Sequence, residues 1–255
     1  MIASGRPALP AAAAVAVLAL LLASGGADAQ RRPGGRGYPE PTAVIRAEIA
    51  FNQRAQADGQ WTAFRKTADK DAIMFVPQVV NAQRWLGKQA DPAQSVVWWP
   101  SRIFMSCDGS YAAATGGWQR PDGSVGYFTT LWRRQKKGDY RWVFDHGDTL
   151  PAFRAQREDD LEAKVAECPR DPRADAIPDG GKPGKVAIVR IADSPPANGQ
   201  GQSSDGSLRW QWTTRPDGSR TVSVSMRYEG EMRAVITDDV KADGVKAAGT
   251  QAAVR

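Results

Sequence analysis

The residues best suited to acid–base chemistry lie in the short segment Phe144-Asp145-His146-Gly147-Asp148. His146 is the only histidine in the chain, and an unperturbed imidazole titrates near neutral pH, where it can give or take a proton. In an extended strand Asp148 shares a face with His146 and could orient its ring, whereas Asp145 points the other way unless a bulge intervenes. With Tyr127 on the preceding strand, these residues form the candidate catalytic set. The favoured alternative is a structural histidine that ties a strand end to a loop, because a lone imidazole is weak evidence of catalysis.

Residues 101–148 predict four consecutive antiparallel strands that position this set. Asp108-Gly109 and Asp122-Gly123 separate runs of aromatic and β-branched residues, and Asp-Gly supplies the positive φ angles that tight hairpins require. Charge and glycine at residues 136–139 mark the third reversal. In the last strand a period of two predicts one face with Trp142, Phe144, His146 and Asp148, and another with Arg141, Val143 and Asp145. Both faces carry apolar groups, so we expect this strand to be covered on both sides.

Aromatic residues on these strands are candidates for a small-molecule pocket. Tyr127 and Thr129 share one face of their strand, while Phe128, Thr130 and Trp132 share the other, and one set should line a cavity. The same tryptophans are also typical of a tightly packed core. The predicted pocket residues are Trp99, Trp118, Phe128, Thr130, Trp142 and Phe144.

Several other chemistries are disfavoured by the sequence. A nucleophilic serine on a G-x-S-x-G elbow is absent from it. Two cysteines and one histidine supply too few ligands for a tetrahedral zinc site, so we expect no metal and no cofactor. Gly116-Gly117 lacks the strand-to-helix context of a phosphate-binding loop.

The segments before the strands predict helices. Val44, Ala47, Phe51 and Ala55 recur at three- and four-residue steps, which indicates an amphipathic helix within residues 41–66, broken at Asp58-Gly59. We further expect a strand at residues 72–76, a helical turn at 81–87 and a helix beginning at Asp91-Pro92.

The segments after the strands change in character. Residues 154–168 are charged and favour a helix, and residues 168–184 are rich in proline and glycine, as linkers are. Residues 194–205 predict a polar loop and residues 241–255 a disordered tail. Strand character appears at residues 185–191, 208–214, 220–228 and 232–237. Arg-Pro-Asp-Gly occurs at both 120–123 and 215–218, and we interpret it as a recurrent turn signal rather than evidence of duplication.

The N-terminus predicts export. Arg6, the apolar run 11–22 and the small-x-small pattern Ala27-Asp28-Ala29 are typical of a secretory signal peptide cleaved near Ala29, which implies a periplasmic or secreted protein. The apolar run is too short to span a membrane. The net charge is +6, but the basic residues are interspersed with acidic ones, which disfavours nucleic-acid binding. Cys107 and Cys168 would pair as a disulfide in an oxidising compartment, with free buried thiols as the alternative.

Five blocks in order carry a family resemblance: D-A-I-M-F-V-P-Q from Asp71, W-W-P from Trp98, S-C-D-G from Ser106, G-W-x-R-P-D-G-S-x-G-Y-F-T-T-x-W-R-R from Gly117 and F-D-H-G-D from Phe144. Over about residues 40–150 the chain resembles exported bacterial proteins of the SnoaL-like branch of the nuclear transport factor 2-like superfamily. The resemblance implies an α+β fold, in which a cone-shaped, curved antiparallel sheet packs on N-terminal helices around an apolar pocket. Residues 185–240 would form a β-rich extension outside the common fold.

The family includes ketosteroid isomerases, polyketide cyclases, dehydratases, binding proteins and inert scaffolds. The sequence has no clear copy of the isomerases' Tyr/Asp oxyanion pair or isolated Asp base, so their chemistry is not transferred to it. The favoured hypothesis is an exported protein that binds a small apolar or carbonyl-containing ligand without catalysis. One alternative is a lyase or isomerase with His146 as general acid or base. The other is a homodimerisation module that uses the C-terminal β segment or an exposed sheet face.

The predicted organisation is therefore a signal peptide (1–29), a flexible tether (30–40), the α+β domain (41–150), a helix and linker (151–184), the β-rich extension (185–240) and a tail (241–255).

Overall fold

The computed structural model describes residues 39–152, 161–169 and 196–242. The predicted signal peptide, nearly all of the tether, most of the linker, the predicted strand at 185–191 and almost all of the tail lie outside the described residues.

Three described helices precede or interrupt the first strands: α1 (Pro41–Asp58), α2 (Gln60–Thr67) and α3 (Ala82–Leu86). Gly59 separates α1 from α2 with φ of 103°, so the predicted break is confirmed. The predicted helix start at Asp91 is wrong, because this carboxylate instead accepts hydrogen bonds from Thr62 N (3.0 Å) and Thr62 Oγ1 (2.6 Å). Gly59 has no side chain to cap α2. Asp91, which is 29 residues after Thr62, provides the cap instead.

The first sheet, sheet A, has seven strands in the order β2-β1-β6-β5-β4-β3-β7. The predicted four-stranded meander is confirmed as β3 to β6. The sheet is extended at both edges of the meander, because β1 pairs in parallel with β6 and β7 pairs in parallel with β3. The predicted helix at 154–168 is wrong where described, since residues 162–165 pair with β3. The bounds are β1 (Ala68–Phe75), β2 (Val79–Asn81), β3 (Val97–Met105), β4 (Tyr111–Gln119), β5 (Val125–Arg134), β6 (Tyr140–Leu150) and β7 (Glu162–Val165).

The second sheet, sheet B, is a four-stranded antiparallel sheet in the order β11-β10-β9-β8. Its strands are β8 (Asn198–Gln202), β9 (Leu208–Thr214), β10 (Arg220–Tyr228) and β11 (Glu231–Val240). The polar loop predicted at 194–205 is therefore wrong at β8. Gly199 and Gly201 lie directly under the rings of Trp212 and Trp210, where a Cβ would approach ring atoms within 2.6 and 2.4 Å. Small residues are therefore required in β8, although its composition is typical of a loop.

Sheet A is covered on both faces. The helices cover one face through a core that includes Phe51, Trp98, Trp132 and Trp142. Sheet B covers the other face through a second core, which includes Phe104, Leu131, Phe144, Trp210, Trp212, Val222 and Val224. The predicted α+β fold class, with helices packed on a curved sheet and a C-terminal β unit, is confirmed.

A β-bulge in β6 determines which side chains reach each core. Leu131 pairs with Phe144 but Trp132 pairs with Trp142, so Val143 is an extra residue. The predicted single face for Trp142, Phe144 and His146 is wrong for this reason. Trp142 lies in the helix-side core and Phe144 in the core shared with sheet B.

The two sheets repeat one arrangement of strands and turns. A Ser-x-Asp-Gly-Ser turn precedes β4 (106–110) and β9 (203–207), and Arg-Pro-Asp-Gly-Ser follows each strand (120–124 and 215–219). The two Ser-x-Asp-Gly-Ser turns also bond to each other. Asp108 N donates to Asp205 Oδ2 (3.0 Å), and Cys107 N donates to Ser207 Oγ (2.9 Å). The repeated tetrapeptide is thus part of a repeated meander, which the interpretation as an isolated turn signal missed.

The predicted disulfide between Cys107 and Cys168 is present, with 5.1 Å between the Cα atoms. The segment that carries Cys168 bridges the sheets, because Ala166 N donates to Met105 O in sheet A (2.8 Å) and Glu167 N donates to Arg227 O in sheet B (3.0 Å).

We expect non-reducing mass analysis of the folded protein to show no alkylatable thiol. Replacing both cysteines by serine should lower the free energy of unfolding by about 4 kcal/mol, because the reduced unfolded chain regains loop entropy. Wild-type protein in reductant should lose a similar amount in urea denaturation. A free thiol in the oxidised protein, or equal stability with and without reductant, would contradict the pairing.

Candidate functional site

The imidazole of His146 lies between the two sheets and is 2 % exposed. Its Nε2 is 3.0 Å from Asp238 Oδ2, and Arg220 Nε donates to its Nδ1 at 3.1 Å. Because a guanidinium only donates hydrogen bonds, Nδ1 is the acceptor, and Nε2 therefore carries the proton that Asp238 accepts. Thr129 Oγ1 also donates to Asp238 (2.8 Å), and Arg220 Nη2 donates to Gly147 O (2.6 Å).

Burial lowers the pKa of His146, and the charge of Arg220 lowers it further, against the opposing hydrogen bond to Asp238. The imidazole is therefore neutral. The predicted partner Asp148 does not bond to the ring, and its Oδ1 instead accepts from Thr149 N (2.8 Å). The Tyr127 ring lies edge-on to His146, with 5.8 Å between centroids. This arrangement fits a histidine that joins the two sheets.

A second pair of titratable groups lies on the opposite face of sheet A. Glu48 on α1 is completely buried, and its carboxyl accepts hydrogen bonds from Trp98 Nε1 (3.2 Å) and Trp132 Nε1 (2.8 Å). Burial raises the pKa of Glu48 to about 8, although the two indole hydrogen bonds oppose the shift. The nearby carboxyl of Asp145 raises it further.

Asp145 is the one member of the candidate catalytic set that points toward the helices. Its Oδ2 accepts a hydrogen bond from Thr130 Oγ1 (2.7 Å), and burial raises its pKa to about 7. The residue nonetheless keeps part of its surface exposed. Its backbone pairs with Thr130 on one side and Met74 on the other. A desolvated carboxyl on a residue that keeps part of its surface exposed is a candidate for ligand contact or proton transfer.

The predicted pocket residues separate onto the two faces of sheet A. Trp118, Phe128 and Trp142 belong to the helix-side core, and Thr130 faces the same side through Asp145. Phe144 is displaced to the sheet-B side by the bulge. Trp99 follows the inward-facing Trp98 and is 37 % exposed, with its ring against Gly117.

Three polar residues that the sequence analysis missed complete these sites. Glu48 shares the buried stripe of α1 with Val44, Phe51 and Ala55. Arg220 alternates with the buried Val222 and Val224 on β10, and Asp238 alternates with Ile236 and Val240 on β11. A charged residue at an inward position of an apolar repeat was the available signal.

Within the described part of the chain, no cluster of three or more His, Cys, Asp or Glu side chains could hold a metal ion. None of the helices there is long and apolar enough to cross a membrane.

No protein-family model matches the sequence, and no curated protein matches it. Solved structures do match. A candidate ketosteroid isomerase from Parabacteroides distasonis is 16% identical, with 46% of this chain and 97% of that one covered and a TM-score of 0.36. An NTF2-like protein of unknown function from Shewanella baltica is 13% identical (44% and 94% covered, TM-score 0.34). ActVI-ORFA from Streptomyces coelicolor is 12% identical (44% and 97% covered, TM-score 0.34).

The Shewanella baltica protein is described as NTF2-like, which is the superfamily that the sequence motifs resemble. The TM-scores of all three matches are low and each match covers less than half of this chain, so they say nothing about its activity.

Replacing Asp238 by alanine should lower the free energy of unfolding by about 3 kcal/mol, because the Nε2–H of His146 and the hydroxyl of Thr129 stay buried without their acceptor and Arg220 loses a nearby negative charge. Urea denaturation measures the change. The matched control is Asp239→Ala, whose exposed carboxylate pairs with Lys241, and it should change stability by less than about 0.5 kcal/mol. Equal effects of the two substitutions would show that the network between the sheets contributes no stability.

The raised pKa of Glu48 predicts a pH dependence of stability. The folded state holds this proton up to about pH 8, whereas the unfolded chain releases it near 4.5. The contribution is therefore complete below the unfolded pKa and is lost as the pH rises through this window, by at most about 1.4 kcal/mol per pH unit. Glu48→Gln should thus gain stability relative to wild type as the pH rises.

Urea denaturation across the same pH range measures this difference, with the exposed Glu231→Gln as control. A stability difference between Glu48→Gln and wild type that does not vary with pH would contradict the buried, protonated carboxyl.

Proposed function

We propose that the protein binds a small, mostly apolar molecule with one hydrogen-bonding group on the helix side of sheet A, where Asp145 provides the polar contact. The observation that carries the proposal is the position of Asp145, whose carboxyl is desolvated although the residue keeps part of its surface exposed. Phe128 and Trp132 flank its partner Thr130 on the same face of β5, so the carboxyl lies beside a largely apolar core. An apolar wall with few polar groups is typical of small-molecule sites.

The chemistry of Asp145 suits a carbonyl or hydroxyl group. With a pKa of about 7, the carboxyl is present in both forms near neutral pH. The protonated form can donate to a carbonyl oxygen, and the ionised form can accept from a hydroxyl. The hydroxyl of Thr130 fixes one carboxyl oxygen and leaves the other for the ligand.

A second candidate function is a lyase or isomerase that acts on such a carbonyl compound, with Asp145 as general acid or base. An efficient acid–base catalyst has a pKa near the working pH, which the carboxyl of Asp145 has. The sequence hypothesis gave this role to His146, but the imidazole is enclosed between the sheets.

We also propose that the protein acts in the periplasm or outside the cell. The disulfide supports this location, because such bonds persist mainly in oxidising compartments. Homodimerisation through an exposed face of sheet A has less support, since the helices and sheet B cover both faces among the described residues.

The fluorescent naphthyl ketone prodan is a suitable probe, because it is small, apolar and carries one carbonyl. We expect binding to the full chain with energy transfer from tryptophan, and about tenfold weaker binding by Asp145→Asn, which cannot offer a carboxylic proton. Asp139→Asn, on the exposed β5–β6 turn, should bind as wild type does.

Equal prodan affinity of wild type and Asp145→Asn would overturn the proposal. If turnover of a carbonyl compound is found, its pH profile should show an inflection near the pKa of Asp145 that Asp145→Asn lacks.

A further inference from the structure

The strand β7 leaves one edge of sheet A open in the described part of the chain. It pairs in parallel with β3 on one side and is the last strand of the sheet. All four of its residues, Glu162–Val165, are exposed, and so is Leu161, which directly precedes them. An edge strand with unpaired backbone groups is a template for pairing with another strand.

The backbone groups of alternate residues face this open edge. Ala166 N donates to Met105 O in β3 (2.8 Å), so the even-numbered residues of β7 direct their N–H and C=O groups toward β3. The odd-numbered residues, Leu161, Ala163 and Val165, therefore direct theirs away from β3.

Other strand edges of the described chain are protected. Where β3 extends beyond β7, α1 covers it, because Asn52 Nδ2 donates to Trp98 O and Gln56 Nε2 donates to Val96 O (both 2.7 Å). The edge strand β2 has only three residues, and the edge strand β11 has a β-bulge. Short strands and bulges prevent pairing with other chains. The edge of β7 has no bulge and no proline.

The sequence of β7 is complementary to itself in the antiparallel direction. When Ala163 lies opposite Ala163 of a second copy, Leu161 lies opposite Val165 and Glu162 lies opposite Lys164. Antiparallel strands exchange backbone hydrogen bonds at every second pair of residues. In this register those pairs are formed by the odd-numbered residues, whose backbone groups face the open edge.

The charged side chains of β7 match in this register. Glu162 and Lys164 lie on the sheet-B side of the strand, because Lys164 is paired with Phe104 of the second core. Within one copy, Lys164 Nζ is 2.6 Å from Glu162 Oε1, and both side chains are about half exposed. A second copy places a carboxylate opposite each ammonium group, so four charges alternate in sign across the two strands. Opposite charges on facing strands stabilise their pairing.

The apolar side chains match as well. Ala163 and Val165 are paired with Ile103 and Met105, which belong to the helix-side core, and Leu161 continues the same alternation. Leu161 is 44% exposed and Val165 is 39% exposed. Pairing two copies brings these side chains together in one row and removes part of their surface from water.

We propose that the protein forms a homodimer in which two copies of β7 pair antiparallel about Ala163. The two copies of sheet A then form one continuous sheet. The contact uses an edge of sheet A and leaves both covered faces and the site proposed at Asp145 unchanged. Because the paired strands are short, the dimer is weak and its population depends on protein concentration.

Sedimentation equilibrium of the full chain with its disulfide intact, from about 1 μM to 1 mM, measures the association. We expect a monomer–dimer equilibrium for wild type. Ala163→Pro should dimerise at least tenfold more weakly, because it removes an N–H group that faces the second copy. Its stability in urea should match that of wild type, because proline is tolerated in an edge strand where the N–H faces outward.

Charge reversal tests the register. Lys164→Glu places four carboxylates together and should weaken dimerisation at least tenfold. The double variant Glu162→Lys/Lys164→Glu restores the alternating signs and should dimerise within about threefold of wild type. The matched control is Lys70→Glu, which makes the same change in net charge at the exposed Lys70–Asp71 pair of β1 and should dimerise as wild type does.

A wild-type chain that stays monomeric over the whole concentration range would overturn the proposal. A dimer that Ala163→Pro retains at full strength would do so too, since it would place the association at another surface. A double variant that dimerises as weakly as Lys164→Glu alone would contradict the register about Ala163.

Discussion

The face-to-face packing of sheet B on sheet A is the constraint on which the rest of the structure depends. It encloses the second core and, within it, the chain of hydrogen bonds from Arg220 through His146 to Asp238. A buried cation, a neutral imidazole and a carboxylate are tolerable together because each has a partner. Since sheet B covers this face of sheet A in the described part of the chain, the proposed ligand site is on the helix side.

The packing also explains why two adjacent residues have opposite chemistry. Asp145 and His146 are neighbours in β6, so they point to opposite faces. Desolvation favours the neutral form of both, which raises the pKa of Asp145 to about 7 and lowers that of His146. Only Asp145 keeps contact with solvent, so the residue that first suggested acid–base chemistry is structural and its neighbour is the candidate for function.

Local signals in the sequence predicted much of the fold. The stripe on α1, the break at Gly59, the Asp-Gly turns of the meander and the pairing of Cys107 with Cys168 all depend on nearby residues or on compartment chemistry. The failures involve distant partners. Residues 162–165 have helical composition but pair in parallel with β3, and the strand nature of residues 198–202 depends on the rings of Trp210 and Trp212.

The site was harder to predict than the fold for the same reason. The extra residue at Val143 reverses the expected faces of β6, and nothing in the segment itself marks a bulge. Glu48, Arg220 and Asp238 lie at inward positions, where a charged residue is informative only once its partners are known. The position and role of each of these residues can be assigned only from its tertiary contacts.

The most direct test of whether sheet B covers this face of sheet A is nitrogen-detected NMR of the single histidine across the pH range. Because the sequence has one imidazole, its two ring nitrogens need no assignment to a residue. The neutral form with the proton on Nε2 should persist without titration as the pH falls through the ordinary pKa of histidine, because burial lowers the pKa of this imidazole. A titration near the ordinary value, or a proton on Nδ1, would show that His146 is open to solvent and that sheet B does not enclose it.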